Sequence, residues 1–104
     1  KAAEKPGAKY ASLIDAPGVA AGKEFTAEQK RLIILENMKR NSGVVRSDLS
    51  GKVLVPSTQN IKGVVPSGDE WQIDHIIPRA KGGPNSYANA QVLSREENLA
   101  KSDN

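Results

Sequence analysis

Between residues 26 and 40 apolar side chains recur at helical spacing. Ala27, Leu32, Ile34, Leu35 and Met38 share one broad face, with Ile33 off it. Thr26 and Gln29 form a capping box, and Asn41-Ser42-Gly43 is a stop signal, so the pattern predicts a scaffold helix. Val44-Val45 and Val53-Leu54-Val55 flank Ser50-Gly51 and predict a hairpin. A polar loop with Pro56, Gly63, Pro66 and Gly68 follows. The run WQIDHII, Trp71 to Ile77, is strand-like and closed by Pro78. Gly82-Gly83-Pro84 argue against regular structure over 79–89, and Ala90 to Leu93 suits a short strand. Ser94 with Glu97 is a second capping box, opening a last helix that carries Asn98 and Lys101. The final third therefore reads strand, long loop, short strand, helix.

Ahead of the first helix, residues 1–25 are rich in Ala, Gly and Pro, with turn signals at Pro6-Gly7 and Pro17-Gly18. This segment is expected to be an irregular arm or linker end, with Leu13, Ile14 and Val19 available to tuck against the body. The chain begins at Lys1 without a methionine, which suggests a piece excised from something longer. Its 104 residues are room for one domain. With 38% hydrophobic and 4% aromatic residues, the core should be light and mostly aliphatic. No stretch approaches the roughly 20 apolar residues that span a bilayer, and no secretory signal pattern is seen. The formal charge of +3 suits a partner that is a polyanion, although many unrelated domains share it. There are no cysteines, which excludes disulfides and thiolate zinc sites.

His75 is the chain's one histidine, and Asp74 precedes it inside the most hydrophobic strand. Adjacent strand residues point to opposite faces, so both can face the core only across a bend. Either would be costly to bury unpaired, which marks the pair as functional. Asn98 has Arg95 and Lys101 three residues away on either side, so one helical face offers a neutral oxygen ligand between two cations. A solvated polar face would have the same composition. The intervening loop carries Arg79, Lys81, Asn85 and Asn89, and its two basic residues could contact phosphate. Gly82 and Gly83 allow a sharp turn or a close backbone approach to a ligand.

The run DHIIPRAKGGPNSYANAQVLSREENLAKSDN resembles the HNH, or ββα-metal, nuclease motif over about residues 71–104. It matches Asp-His-hydrophobic-hydrophobic-Pro, then Gly-Gly, Asn-x-Gln-x-Leu and Asn-x-x-Lys. The pattern is that of the HNN variant, with asparagine as the last signature residue, as in the HNH domain of CRISPR effector nucleases. The resemblance implies an α+β fold: a zinc-free ββα-metal (His-Me finger) core preceded by a helix and hairpin. It also implies an arm at 1–25 and a nuclease domain at 26–104. His75 would be the general base, Asp74 and Asn98 the metal ligands, and Asn89 the residue holding the loop and His75 in place. Arg79, Lys81, Arg95 and Lys101 would contact nucleic acid. Many family members carry CxxC pairs for a structural zinc where this chain reads RSDLSGK and SREEN, so packing must take over that role.

With His75 taken as base and no cysteine present, the metal ligands must be oxygens, which favours Mg²⁺ or Mn²⁺. One carboxylate makes a sparse site, completed by water and substrate phosphate. A free imidazole titrates near ~6.5, so activity through a histidine base should fall below about that pH. The resemblance implies a DNA endonuclease with little sequence specificity. The lead-in and the RSDLSGK and NSYANAQVLSREEN segments also resemble the C-terminal HNH toxin domains of Rhs and other polymorphic toxins. That second resemblance implies a delivered antibacterial effector, acting in a target-cell cytoplasm and restrained by an immunity protein. Two alternatives stand beside it: an HNH nuclease of phage packaging, restriction or mobile elements, and a degenerate nucleic-acid-binding module without catalysis.

Overall fold

The computed structural model of the chain describes residues 8–57 and 62–101. The Pro6-Gly7 turn signal, and residues 58–61 of the expected polar loop, lie outside the described residues.

Helix α1 spans Ala27–Arg40 and starts on the capping box read from the sequence. Thr26 Oγ1 accepts from the Gln29 N–H at 3.1 Å, and Gln29 Oε1 accepts from the Thr26 N–H at 2.9 Å. Leu32, Ile34 and Met38 of the expected apolar face pack against the core, but the most buried stripe lies to one side of it. That stripe is Gln29, Ile33 and Asn37 at steps of four, while Leu35 is 47% exposed. The reason is that the two inward polar side chains are fully used. Gln29 Nε2 donates to the Asn85 carbonyl at 2.7 Å. Asn37 accepts from the Arg46 N–H and donates to the Arg46 carbonyl, both at 2.9 Å, like a neighbouring strand. A buried amide with both ends bonded costs little, so it can share a face with fully buried Ile33, whose burial contributes roughly 1.5–3 kcal/mol.

Strands β1 (Val45–Arg46) and β2 (Val53–Leu54) form the expected antiparallel hairpin, with Val45 opposite Leu54. Strand β3, Trp71–His75, pairs antiparallel with β4, Ala90–Ser94, and helix α2, Arg95–Lys101, follows directly. The WQIDHII strand therefore stops at His75, two residues short of the sequence expectation. The Ile76 N–H goes to the Asn89 carbonyl and the Ile77 N–H to the Asn89 side chain, which turns the chain out of the ladder. The 79–89 stretch lacks strand or α-helix but holds two short 3₁₀ turns, Arg79–Lys81 and Tyr87–Asn89.

The core gathers Tyr10, Phe25, Ile33, Val45, Leu54, Tyr87, Ala90 and Val92. Both tyrosines and the one phenylalanine are thus buried, so the core is less aliphatic than composition suggested. Two of these aromatics come from the irregular lead-in, where Leu13 also packs on the core while Ile14 is 92% exposed. Burial pushes the Tyr10 hydroxyl well above the ordinary phenol range, against a hydrogen bond from Asn37. The proton it keeps is donated to Asp48 Oδ2 at 2.8 Å.

Candidate active site

On one face of β3, Gln72 and Asp74 stand two residues apart, and α2 lays Asn98 and Lys101 across them. Asn98 Nδ2 donates to Gln72 Oε1 at 2.7 Å. Lys101 Nζ lies 3.0 Å from Asp74 Oδ2 and donates to the His75 carbonyl at 3.2 Å. From β4, Gln91 stands opposite Asp74 in register and donates its Nε2 to the same carboxylate oxygen at 2.8 Å. Lys101 thus meets Asp74, while Asn98 meets Gln72, two residues earlier on the same strand face. Gln72 and Gln91 had no side-chain chemistry to flag them. Gln91 sits at a motif position, but its partner follows only from strand register.

His75 serves the other face and is 6% exposed. Its Nε2 lies 2.7 Å from the Lys23 carbonyl, and its ring centroid is 4.4 Å from that of Phe25. A carbonyl only accepts, so Nε2 carries the proton and the neutral ring keeps its lone pair on Nδ1. Among the described residues Nδ1 makes no hydrogen bond, yet no buried side-chain nitrogen or oxygen lacks a partner. Sequence reasoning missed the clamp because one half of it is a backbone carbonyl, which no residue type announces.

Asn89 holds the loop, and among the described residues its side chain makes no hydrogen bond to the imidazole. Its Oδ1 accepts from the Ile77 N–H at 2.8 Å, and its Nδ2 donates to the Ile77 and Pro84 carbonyls at 3.2 and 2.9 Å. Gly82 adopts φ 86°, and a Cβ on Gly83 would stand 1.7 Å from the Ile77 carbonyl oxygen. The close approach at Gly83 is thus to the loop's own backbone. The lead-in straps this loop from outside: the Ala20 N–H donates to Asn85 Oδ1 at 2.9 Å and the Gly22 N–H to the Gly83 carbonyl at 3.0 Å. Arg79 Nε donates to the Gly22 carbonyl at 3.0 Å, so this exposed arginine also ties strap to loop. Lys81 is exposed on the same turn, and Arg95 is half-buried at the start of α2.

Behind α2, the hairpin is stitched to the ββα unit at the two segments where the family resemblance puts zinc-binding pairs. Glu97 accepts from Ser47 Oγ at 2.6 Å and from the Ser94 N–H at 2.8 Å. Asp48 Oδ2 accepts from the Val92 N–H at 2.7 Å. Burial pushes the Glu97 carboxyl up, but hydrogen bonds from Ser47, Ser50 and Ser94 outweigh it and hold the group below its ordinary value.

Among the described residues no three His, Cys, Asp or Glu side chains cluster as a metal site. The oxygen donors on this face include the Asp74 carboxylate and the amide oxygen of Asn98, whose Nδ2 is held by Gln72. That donor set fits a hard divalent ion that keeps most of its waters and takes further oxygens from a phosphate. The Lys101 ammonium at 3.0 Å shows that the carboxylate faces a position where positive charge settles.

The family model for HNH endonuclease matches residues 58–104, which include β3, the glycine loop, β4 and α2. This carboxy-terminal segment is similar to the HNH endonucleases, a family of nucleases that generally use divalent metal ions. No curated protein and no solved structure matches the chain. No helix among the described residues is long and apolar enough to cross a membrane.

Proposed function

We propose that the chain is a catalytically competent, metal-dependent endonuclease that hydrolyses DNA phosphodiesters with little sequence preference. The observation that carries this reading is the pairing of a tautomer-fixed histidine with a cation-facing carboxylate at adjacent positions. The Lys23 carbonyl on Nε2 leaves the lone pair of His75 on Nδ1, and Asp74 lies one residue away on the polar face. Nδ1 takes a proton from the attacking water, and the Nε2 bond to Lys23 stabilises the charge the ring gains. Asp74 and Asn98 would hold a Mg²⁺ or Mn²⁺ ion, which when bound stabilises charge on the phosphate and the departing oxygen. Asn89 positions the loop that leaves His75. Lys101, Arg95, Lys81 and Arg79 supply positive charge for the substrate backbone. Among the described residues no dedicated recognition helix or finger is seen, in keeping with low sequence specificity.

The further resemblance to Rhs and polymorphic toxin domains supports an antibacterial effector, delivered to a target-cell cytoplasm and neutralised by an immunity protein. A small neighbouring gene whose product binds and inhibits the domain would test that biology. The enzymatic reading is tested by incubating plasmid with the protein in Mg²⁺ or Mn²⁺, with and without EDTA. Metal-dependent nicking is expected; plasmid left intact with both ions would overturn the reading.

A further inference from the structure

An open cleft of about 580 Å³ runs between α1 and β3 and reaches the site through Gln72 and Asn98. It follows the edge of β3 that β4 does not cover, where among the described residues pairing is limited to the Val55–Glu70 bridge, with the Trp71 N–H bound to the Val55 carbonyl at 2.9 Å. Trp71, Ile73 and Ile34 supply its apolar wall, and Lys30 and Glu24 its polar rim. Trp71 is the chain's single tryptophan. Unlike the other aromatics it is only partly buried, and its indole N–H makes no hydrogen bond among the described residues. A buried indole N–H ordinarily finds a partner, so this one opens towards solvent.

We infer that this cleft is a subsite for one unpaired nucleobase of the substrate strand, stacked on Trp71. The inference rests on the nuclease reading above and adds the form of substrate. Gln72 and Asn98 belong both to the cleft and to the row that ends at Asp74. A strand whose phosphate sits at Asp74 and Asn98 therefore has its neighbouring base at the cleft mouth. The volume lies within the range of small-molecule sites, and every base has a π-face that stacks on an aromatic ring without sequence preference. Lys30 is placed for the next phosphate, and Glu24, which accepts from the Phe25 N–H through Oε1, stands at the rim. A base inside a duplex has both faces covered by its neighbours, so the occupant is an unpaired one.

The test is carried out on the ligand, so that it does not depend on a tryptophan variant folding. End-labelled oligothymidylate, an abasic oligomer of equal length and a blunt duplex are titrated into the protein in EDTA. Anisotropy reads binding and the fluorescence of Trp71 reads stacking. Oligothymidylate is expected to quench Trp71 and to half-saturate at about tenfold lower concentration than the abasic oligomer. The abasic oligomer and the duplex should leave the emission unquenched. Equal affinity and equal emission with the abasic oligomer, or equal quenching by the duplex, would overturn the subsite. Plasmid cleavage by the same preparation in Mg²⁺ separates the two claims: cleavage without quenching removes the subsite and leaves the nuclease.

Discussion

Replacing Gly83 with alanine puts a methyl group where the loop's own backbone already stands. The new Cβ would lie 1.7 Å from the Ile77 carbonyl oxygen, 2.6 Å from the Ile77 carbonyl carbon and 2.9 Å from the Pro78 oxygen. None of these atoms is a flexible side-chain end, so the turn must open. Opening it threatens the Gly83 N–H bond to Pro78 at 3.0 Å, the Gly22 N–H bond to the Gly83 carbonyl at 3.0 Å and the Asn89 bond to the Ile77 carbonyl at 3.2 Å. At about 1 kcal/mol for each bond, the expected loss is roughly 2–4 kcal/mol. For a domain of this size that lowers the thermal midpoint by roughly 8–20 °C. Gly82→Ala is the control. Its Cβ meets open space and only its φ of 86° is strained, so about 1 kcal/mol is expected. Thermal melts followed by circular dichroism compare the two. A Gly83→Ala midpoint equal to wild type, or Gly82→Ala as the more damaging change, would refute the close-approach argument.

Three further outcomes follow from the site and its supports. Glu97 is held below its ordinary value, so the folded protein binds that proton less readily than the unfolded chain. Its stabilisation is present above the ordinary carboxylate range and is lost as pH falls through the lower folded value. Urea midpoints from about pH 7 to pH 3 should therefore fall less steeply in Glu97→Gln, and parallel slopes would count against this. Because the chain has a single histidine, ¹⁵N spectra of labelled protein can read its tautomer, and whenever the ring is neutral the proton should be on Nε2. A proton on Nδ1 would contradict the Lys23 clamp, and Phe25→Leu should loosen the preference. Asp74→Ala should cost roughly 1 kcal/mol or less in urea melts, since its partner Lys101 is part-exposed, while abolishing cleavage at all Mg²⁺ concentrations. Retained cleavage would remove Asp74 from the ligand set.

Much of this arrangement is legible in residue order because local rules govern it. Both capping boxes, at Thr26 and Ser94, need only residues three apart. The alternation along β3 correctly separates Asp74 from His75. The parts that were not legible depend on distant partners. The apolar pattern of α1 points to Leu35, yet the helix turns Gln29 and Asn37 inward because Asn85 and Arg46 meet them there. The lead-in reads as an arm by composition, but its Lys23 carbonyl and Phe25 ring hold the imidazole 52 residues away. Backbone groups and fully bonded amides leave no mark in hydropathy, and those are the groups that complete this site.

The central claim, that His75 is the base of a metal-dependent nuclease, is met most directly by plasmid cleavage in Mg²⁺ comparing wild type with His75→Ala at equal folded concentration. The expected result is nicking and linearisation by wild type, and a rate at least about 100-fold lower for the variant. Cleavage by His75→Ala at the wild-type rate would contradict the account.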